Sequence, residues 1–268
     1  MAMARELVVI KGAGDLASGV AHRLHRAGFP VIMTEIPRPM VIRRAVAFAE
    51  AVYNDTVTVE GVTARLVPSP DAALAATGRG EIAVLVDPRA EVISALKPQV
   101  VVDAILAKTN LGTRIHHAPI VIALGPGFKA GRDAHAVIET KRGHYLGRVI
   151  WEGEAAANTG IPGEVMGYAA ERVLRAPAEG IFKGCRAIGD VVTAGETVAT
   201  INGVPMKAGI SGVLRGLLHD GLKVTPGMKA GDVDPRGERD YCFTISDKAR
   251  AIAGGVLEAI LYLLERLK

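Results

Sequence analysis

Short apolar runs alternate with longer amphipathic or alanine-rich stretches from residue 6 to about residue 175. Apolar runs without polar alternation are typical of strands buried on both faces, and such strands occur in parallel sheets covered by helices. The pattern therefore predicts an α/β fold, with a Rossmann-like parallel-sheet domain over residues 1–176. The runs that define it are LVVI (7–10), VIMT (31–34), IAVLV (82–86), VVVDAIL (100–106) and IVIAL (120–124).

The pattern changes after Pro177, where closely spaced glycines and valines are joined by turn dipeptides such as Asn202-Gly203. The segments GDVVTAGETV (189–198) and GLKVTPGMKA (221–230) resemble each other at a spacing of 32 residues. Two similar halves made of short strands indicate a pseudo-twofold module. Residues 177–240 are therefore predicted to form a small all-β barrel-sandwich hybrid of the biotinyl/lipoyl type.

Met206-Lys207 is similar to the attachment site of such carrier domains, but its position argues against modification. Lys207 follows Gly189 by eighteen residues and precedes Gly212 by five, whereas the predicted hairpin tip is Asn202-Gly203. A carrier lysine lies at an exposed hairpin tip, so Lys207 is predicted to be an ordinary strand residue. No biotin or lipoate is expected.

The last predicted element is a helix within residues 241–268, packed on one of the two domains. Ser246 and Asp247 form a capping pair at its start. The apolar positions that follow lie on one stripe of a helix, which is the pattern of a face packed against a core. They are Ile252, Val256, Leu257, Ile260, Leu261, Leu264 and Leu267.

Composition and charge narrow the classes of function. Aromatic residues are 4% of the 268 residues, too few for the stacking platforms that bind single-stranded nucleic acid. The 32 Lys and Arg against 28 Asp and Glu give a formal charge of +4 with interspersed signs, which favours a small anionic ligand over DNA. The sequence contains neither a signal peptide nor eighteen consecutive apolar residues. A cytoplasmic protein without membrane contact is expected, and a homo-oligomer is left open.

The two cysteines, Cys185 and Cys242, belong to no CxxC or zinc-binding pattern. Their number and spacing predict a reducing compartment and no metal site. Because they flank the predicted β module, its closure could bring the two thiols together. Burial of one or both as small apolar side chains is the favoured alternative.

The first strand leads into a glycine-rich turn, Gly12-Ala13-Gly14-Asp15-Leu16, and a helix ending near Gly28 is predicted to follow. In a strand–turn–helix unit these glycines permit a tight turn and the approach of a phosphate to the helix N-terminus. Glu35 ends the next strand 21 residues after Gly14, where dinucleotide-binding folds place the acid that binds ribose. The turn therefore predicts a bound nucleotide.

The identity of the nucleotide stays open at this point. Arg38, Arg43 and Arg44 follow Glu35, and arginines there either hold a ribose phosphate or form a solvated surface. NAD and NADP are thus undecided. Asp15 is either part of the chemistry or a helix N-cap. Arg23 and Arg26 add to the positive charge near this turn.

Polar residues at the carboxyl ends of the later strands are the remaining site candidates, because ligands of open parallel sheets bind beyond those ends. Asp103 is followed by Lys108 and Asn110, and the strand IVIAL leads into Gly125-Pro126-Gly127. Glu139 and His144 lie in a dense polar stretch, DAHAVIETKRGH (133–144). An ordinary turn or a polar strand is the alternative for each. The catalytic residues are unknown, with candidates Asp15, Asp103, Lys108, Glu139 and His144.

Several of these strings resemble a known family, the YqeB-like accessory proteins associated with selenium-dependent molybdenum hydroxylases, which are distantly similar to XdhC-type accessory proteins. The resemblance covers nearly the whole chain. It implies the motif positions Gly12, Gly14, Asp15, Asp103, Lys108, Asn110, Gly125, Gly127, Glu139 and His144. The strings are GAGDLASGVAHRL (12–24), RRAVAFAEAVY (43–53), VVDAILAKTNLGT (101–113), ALGPGF (123–128), VIETKRGHYLGRVI (137–150) and KAGDVDPRG (229–237).

The resemblance implies a role in the maturation or supply of the metal or selenium centre of a hydroxylase, which would then be a partner. Combined with the glycine turn, it predicts an accessory protein that binds a nucleotide at the first βα turn, and it implies a molybdopterin nucleotide as a candidate beside NAD(P). Two alternatives from other classes are an independent NAD(P)-dependent oxidoreductase and a non-catalytic scaffold. A Tyr-x-x-x-Lys proton-donor set, which would favour the oxidoreductase, does not occur in the sequence.

Overall fold

The computed structural model describes residues 6–160 and 163–267. By the contacts between its residues, the chain divides into two compact units. Over their described residues, the first unit comprises Met1–Pro39, Ala47–Asn158 and Ile245–Lys268, and the second comprises Met40–Val46 and Thr159–Thr244. The predicted domain ranges stay predictions, because compactness does not test whether a segment folds independently.

Over its described residues, the first unit is built on a nine-stranded sheet with five α-helices and a separate two-stranded ribbon. The strands are β1 (Val8–Lys11), β2 (Val31–Glu35), β3 (Thr56–Val59), β4 (Val62–Leu66), β5 (Ile82–Val86), β6 (Val100–Asp103), β7 (Ile120–Leu124), β8 (Lys129–Ala130), β9 (Ala136–Ile138), β10 (Val149–Ile150) and β11 (Gly153–Glu154). The helices are α1 (Asp15–Arg26), α2 (Ala51–Asn54), α3 (Pro70–Gly78), α4 (Val92–Leu96) and α5 (Asp247–Arg266).

The large sheet is mixed, with the strand order β10-β9-β7-β6-β1-β2-β5-β4-β3. Its interior pairs are parallel, for example β1 with β2 and β1 with β6. The two edges are antiparallel, since β3 pairs with β4 and β10 with β9 in opposite directions. The predicted Rossmann-like parallel sheet is therefore wrong.

Local turn chemistry explains one antiparallel edge. Glu60 and Gly61 join β3 to β4, and both have positive φ, 43° and 77°. Two consecutive residues of positive φ make a hairpin turn, which reverses the chain and forces an antiparallel pair. The apolar runs that predicted the sheet carry no information about this short, half-polar strand pair.

Helix α5 packs along α1, and small residues allow the close approach. A Cβ at Gly19 would lie 2.7 Å from the Cβ of Ala249. Further along both helices, Arg26 and Leu257 border a common cavity. The two helices therefore run in the same direction. Since α1 starts directly after β1, the N-termini of α1 and α5 both lie at the carboxyl edge of the parallel strands.

The second unit contains two four-stranded antiparallel sheets, ordered β12-β19-β17-β14 and β16-β15-β13-β18. Among its described residues the two sheets are not joined by strand pairing, and the barrel-sandwich hybrid predicted for this region is therefore wrong. Its strands are β12 (Val173–Arg175), β13 (Gly180–Gly184), β14 (Val191–Val192), β15 (Thr197–Ile201), β16 (Val204–Lys207), β17 (Gly212–Leu217), β18 (Lys223–Val224) and β19 (Lys229–Asp234).

The sequence repeat has a structural counterpart in the second unit. Each copy forms a short strand, a glycine turn and a longer strand: β14 and β15 in one, β18 and β19 in the other. The two copies place these strands in opposite sheets, because β14 and β19 share one sheet and β15 and β18 share the other. Asn202 and Gly203, with φ of 47° and 87°, form the tip between β15 and β16, and Lys207 ends β16 opposite Thr197.

The two cysteines of the second unit differ in environment. Cys185 is exposed, Cys242 is buried, and both are free. Burial raises the pKa of the Cys242 thiol, an effect that the neighbouring guanidinium groups of Arg215 and Arg43 oppose. Cys242 is therefore a small core side chain. This agrees with the favoured prediction that one or both cysteines are buried. Within the described residues, no helix combines the length and apolar character needed to cross a bilayer.

Candidate functional site

Two charged side chains meet at the carboxyl ends of β1 and β6. Lys11 and Asp103 are neighbours in the parallel ladder, and the Lys11 Nζ lies 3.1 Å from Asp103 Oδ2. The Thr113 hydroxyl accepts from Lys11 Nζ at 2.5 Å and donates to Asp103 Oδ2 at 2.5 Å. All three side chains are buried. Because a buried charge needs a partner, this cluster fastens the loop after β6 onto β1.

Asn110 shapes the loop that carries Thr113. Its side-chain amide donates to the Thr113 carbonyl at 2.9 Å. Its Oδ1 accepts from the backbone N–H groups of Gly112 at 2.9 Å and Thr113 at 2.7 Å. The Asn110 side chain is thereby used within its own loop. Lys108, in contrast, is exposed and has a φ of 64°.

Three of the predicted glycines let neighbouring loops pack against one another. A Cβ at Gly12 would lie 3.1 Å from a carbonyl oxygen of the loop after β6. A Cβ at Gly127 would lie 2.7 Å from the Cα of Thr109, and one at Gly125 would lie 2.5 Å from Oγ1 of Thr140. All three glycines have positive φ. The structure thus brings the loops after β1, β6, β7 and β9 together at one edge of the sheet.

The chain's own groups close the turn between β1 and α1. The Ala13 N–H donates to Glu35 Oε2 at 2.9 Å, and the Ala13 carbonyl accepts from the Ala49 N–H at 2.9 Å. The other Glu35 oxygen accepts from the Ile36 N–H at 2.9 Å. Burial raises the pKa of Glu35, and these two hydrogen bonds oppose the shift. The predicted ribose acid is therefore committed to the turn, and the Ala13 N–H is not available to a phosphate.

The first turn of α1, in contrast, has no side-chain cap. Gly14 is the N-cap residue, and Asp15 is the first residue of the helix rather than its predicted N-cap. Leu16 follows in the same turn and is half-buried. An uncapped helix start leaves backbone N–H groups and the positive end of the helix dipole for another partner.

Lys248, in the first turn of α5, is a charged residue of this edge that the sequence reasoning missed. Its side chain is half-buried, and its Nζ makes no hydrogen bond or ion pair with any described residue. Burial, followed by the charge of Arg142, lowers the pKa of Lys248, whereas Asp15, Glu139 and Asp247 act in the opposite direction. A cation in the first turn of a helix opposes the helix dipole, which is the sequence signal that marks this residue.

Two of the three carboxylates around Lys248 are bound to other donors. Glu139 is buried, and its two oxygens accept from the backbone N–H groups of Lys141 at 2.7 Å and Ala156 at 2.8 Å. Asp247 accepts two hydrogen bonds from Arg142, at 2.6 and 2.9 Å. Asp15, the third carboxylate, is the opposite charge that acts most strongly on the pKa of Lys248. The cluster therefore places an ammonium group and one acidic side chain at the N-termini of α5 and α1.

His144, the last catalytic candidate, is exposed. Its ring packs edge-on against Tyr145 with centroids 5.0 Å apart. His135, from the same polar stretch, accepts from the Val121 N–H through Nδ1 at 2.9 Å and serves the sheet. Across the described ranges 6–160 and 163–267, no group of three or more His, Cys, Asp or Glu side chains is arranged to hold a metal ion.

The arginines predicted near the glycine turn differ in their contacts. Arg43 donates to the carbonyls of Tyr241 and Thr244, and Arg44 donates to that of Leu217, all within the second unit. Arg38 is exposed. Segment 40–46 belongs to the second unit, and the two alternatives predicted for Arg43 and Arg44 stay predictions. Arg23 and Arg26 remain in the first unit and line a cavity beside α1.

Comparison with solved structures finds distant similarities. An aspartoacylase family protein from Mesorhizobium loti MAFF303099 is 12% identical, with a TM-score of 0.30 over 85% of this chain and 84% of that one. A succinylglutamate desuccinylase from Silicibacter sp. TM1040 is 12% identical, with a TM-score of 0.25 over 86% and 85%. At these scores the descriptions belong to those proteins and assign no activity to this chain. No protein-family model matches the chain.

The predicted function needs correction on these findings. The predicted role as a nucleotide-binding accessory protein of a molybdenum hydroxylase is wrong, because the chain's own groups close the first βα turn that was predicted to hold the nucleotide. The closed turn at Ala13 is the physical reason for abandoning the nucleotide at that position. No finding tests the predicted cofactors or partners, which stay predictions.

Among curated proteins, the chain is similar to the uncharacterized protein YqeB of Escherichia coli strain K12. The two are 57% identical over 261 residues, which is 97% of this chain and 48% of YqeB. The chain thus spans about half the length of that relative. The predicted resemblance to YqeB-like proteins is therefore confirmed over these 261 residues.

Proposed function

We propose that this chain binds a small oxyanion, a carboxylate or a phosphate, at the carboxyl edge of its nine-stranded sheet. The ligand would sit between the uncapped N-terminus of α1 and the ammonium group of Lys248. The observation that carries the proposal is the half-buried Lys248 Nζ without a hydrogen-bond partner among the described residues. Ammonium groups removed from water are stable when an acceptor replaces the lost hydration.

Three further features support an anion over a cation. Glu139 and Asp247 are already hydrogen-bonded, so they offer little to a cationic ligand. The first-turn N–H groups of α1 donate toward the same region, and a helix N-terminus attracts negative charge. Ligands of open α/β sheets bind at the carboxyl ends of the strands, which is where Lys248 and Asp15 lie.

Lys248→Met tests this proposal by isothermal titration calorimetry with inorganic phosphate and with succinate. The methionine keeps the apolar stem and removes the charge, so we expect the affinity at this site to fall by about tenfold or more. Lys183→Met, which removes an exposed ammonium of the second unit, is the matched control and should leave binding unchanged.

The pH dependence of the phosphate affinity provides a second test by the same calorimetry. Lys248 has a lowered pKa, so it loses its proton at a lower pH than an ordinary lysine. Because the ammonium is the binding form, the affinity should decline with rising pH before ordinary lysines titrate. Equal affinity of the wild type and Lys248→Met at every pH would contradict the proposal.

A further inference from the structure

A second cavity lies in the groove between α1, α5 and the turn that joins β3 to β4. Its volume is about 360 Å³, and neither Lys248 nor Asp15 of the edge site lines it. Cationic and apolar residues both line it. The residues used below are His22, Arg23, Arg26, Glu60, Arg250 and Leu257.

The positive charge of this cavity is only partly neutralised. Glu60 is its one acidic lining residue among those described, and its Oε1 accepts from Arg250 at 2.9 Å and from the Ile245 N–H at 2.8 Å. The side chains of Arg23 and Arg26 make no hydrogen bond or ion pair with any described residue. Two guanidinium groups are therefore left without a counter-charge.

The geometry of α1 places these two guanidinium groups side by side. Arg23 and Arg26 are three residues apart, so they project from neighbouring positions on one face of the helix. Guanidinium groups bind the oxygens of phosphates and carboxylates through paired N–H donors. The helix dipole also stabilises cationic side chains in the last turn of a helix. That effect alone does not explain why both arginines line a cavity.

The apolar lining residues indicate the other half of the ligand. Leu257 and Ile245 line the cavity with Gly19 and Ala27, and these side chains offer no hydrogen-bonding group. A volume of about 360 Å³ lies at the small end of the range for pockets that bind small molecules. The cavity thus suits a compact ligand that has an anionic head and an apolar body.

We infer that this groove is a second binding site, for a doubly charged oxyanion that carries a small apolar body. Arg23 and Arg26 bind the anionic head, and Leu257 contacts the body. The site is separate from the oxyanion site at Lys248, because none of the residues that define that site lines this cavity. The inference therefore stands or falls independently of the proposed function.

Calorimetry with three probes tests the inference, and it is carried out in the Lys248→Met background so that phosphate binding at the sheet edge does not contribute: phenyl phosphate, inorganic phosphate as the head alone, and phenol as the body alone. We expect phenyl phosphate to bind more tightly than inorganic phosphate, and phenol to bind least. The double variant Arg23→Gln/Arg26→Gln should weaken phenyl phosphate by about tenfold or more. Leu257→Gln should reduce phenyl phosphate to the affinity of inorganic phosphate.

Controls separate this site from the other one and from general charge effects. Arg89→Gln removes an exposed arginine outside the cavity and should leave all affinities unchanged. Lys248→Met should leave the phenyl phosphate site intact. Circular dichroism and the thermal midpoint of the double variant verify that it is folded. Unchanged phenyl phosphate affinity in the folded double variant, or no binding by the wild type at millimolar concentrations, would overturn the inference.

Discussion

Two arginines of the first unit and two of the second are used in different ways. In the second unit, Arg172 binds Asp232 at 2.8 and 2.9 Å, and Arg236 binds Asp234 at 2.6 and 2.9 Å. In the first unit, Arg23 and Arg26 border a cavity and have no such partner among the described residues. Both pairs contribute equally to the net charge. The contacts of the second-unit pair indicate a structural role, whereas the first-unit pair is the one that we propose binds a ligand.

Buried carboxylates cause this difference. Asp232 and Asp234 are 5% and 1% exposed, so each requires cationic partners from its own unit. Arg215, itself 9% exposed, also lies 3.3 Å from Asp234. No comparable buried acid faces Arg23 and Arg26 in their cavity, whose one described acid is committed to Arg250. Net charge therefore indicates a ligand only after internal ion pairs have been subtracted.

The largest expected effect comes from breaking the ion network of the second unit. Asp234→Asn keeps the shape of the side chain but leaves Arg215 and Arg236 without their shared carboxylate. Removal of one partner of a buried pair destabilises a protein by about 3–5 kcal/mol, and urea denaturation should show a loss of that order. Glu179→Gln, which breaks an exposed pair with Lys223, should cost less than about 1 kcal/mol. Equal losses in both variants would contradict the structural role assigned to Asp234.

An intermediate effect is expected at the glycine that packs the site loops. Gly127→Ala places a Cβ 2.7 Å from the Cα of Thr109, in addition to the positive φ of 102°. Gly131→Ala is the matched control, since Gly131 also has positive φ, 82°, but no atom within 4 Å of the added Cβ. We expect Gly127→Ala to be less stable than the control by about 1–3 kcal/mol in thermal unfolding. Similar midpoints for the two variants would show that the loops do not need this close approach.

A smaller effect concerns the acid side of the pH–stability curve. Burial alone would raise the pKa of Asp234, but the hydrogen bonds from Arg236 and the charge of Arg215 hold it below its usual value. The folded protein thus binds this proton less tightly than the unfolded chain does. The stabilisation is fully present above the unfolded pKa and is lost as the pH falls through the folded value.

Asp234→Asn should therefore lose less stability than the wild type when both are acidified, as measured by the unfolding midpoint in urea at several pH values. Glu179→Gln should retain the steeper decline of the wild type. Parallel curves for wild type and Asp234→Asn would mean that the ion network does not depress this pKa.

The sequence pattern located the apolar strands of the first unit but did not determine its fold. Each of the five apolar runs forms a strand, because continuous β-branched segments are stable when buried on both faces. The antiparallel edges were missed because β3 and β10 are short and half-exposed. The interruption of the first unit by segment 40–46 has no local signal, since it depends on contacts with residues far along the chain.

The candidate site shows the same division between local and long-range information. Gly12, Asp103 and Gly127 follow buried strands, so their common edge was predictable from the strand ends. Lys248 was assigned to an apolar-striped helix, and its place beside Asp15 depends on the packing of α5 along α1. Glu35 was identified correctly as a residue near the turn, but its bond to the Ala13 N–H requires tertiary geometry that spacing does not contain.

The most direct test of the central claim is an NMR titration of the lysine side chains, carried out with ¹³C-labelled lysine and inorganic phosphate. Lys248→Met assigns the Lys248 signal by its disappearance. We predict that phosphate shifts this signal and raises the pKa of Lys248, because a bound anion stabilises the ammonium form, while the Lys183 signal stays in place. A Lys248 signal that neither shifts nor changes its pKa at saturating phosphate would contradict the claim that its ammonium group is an oxyanion site.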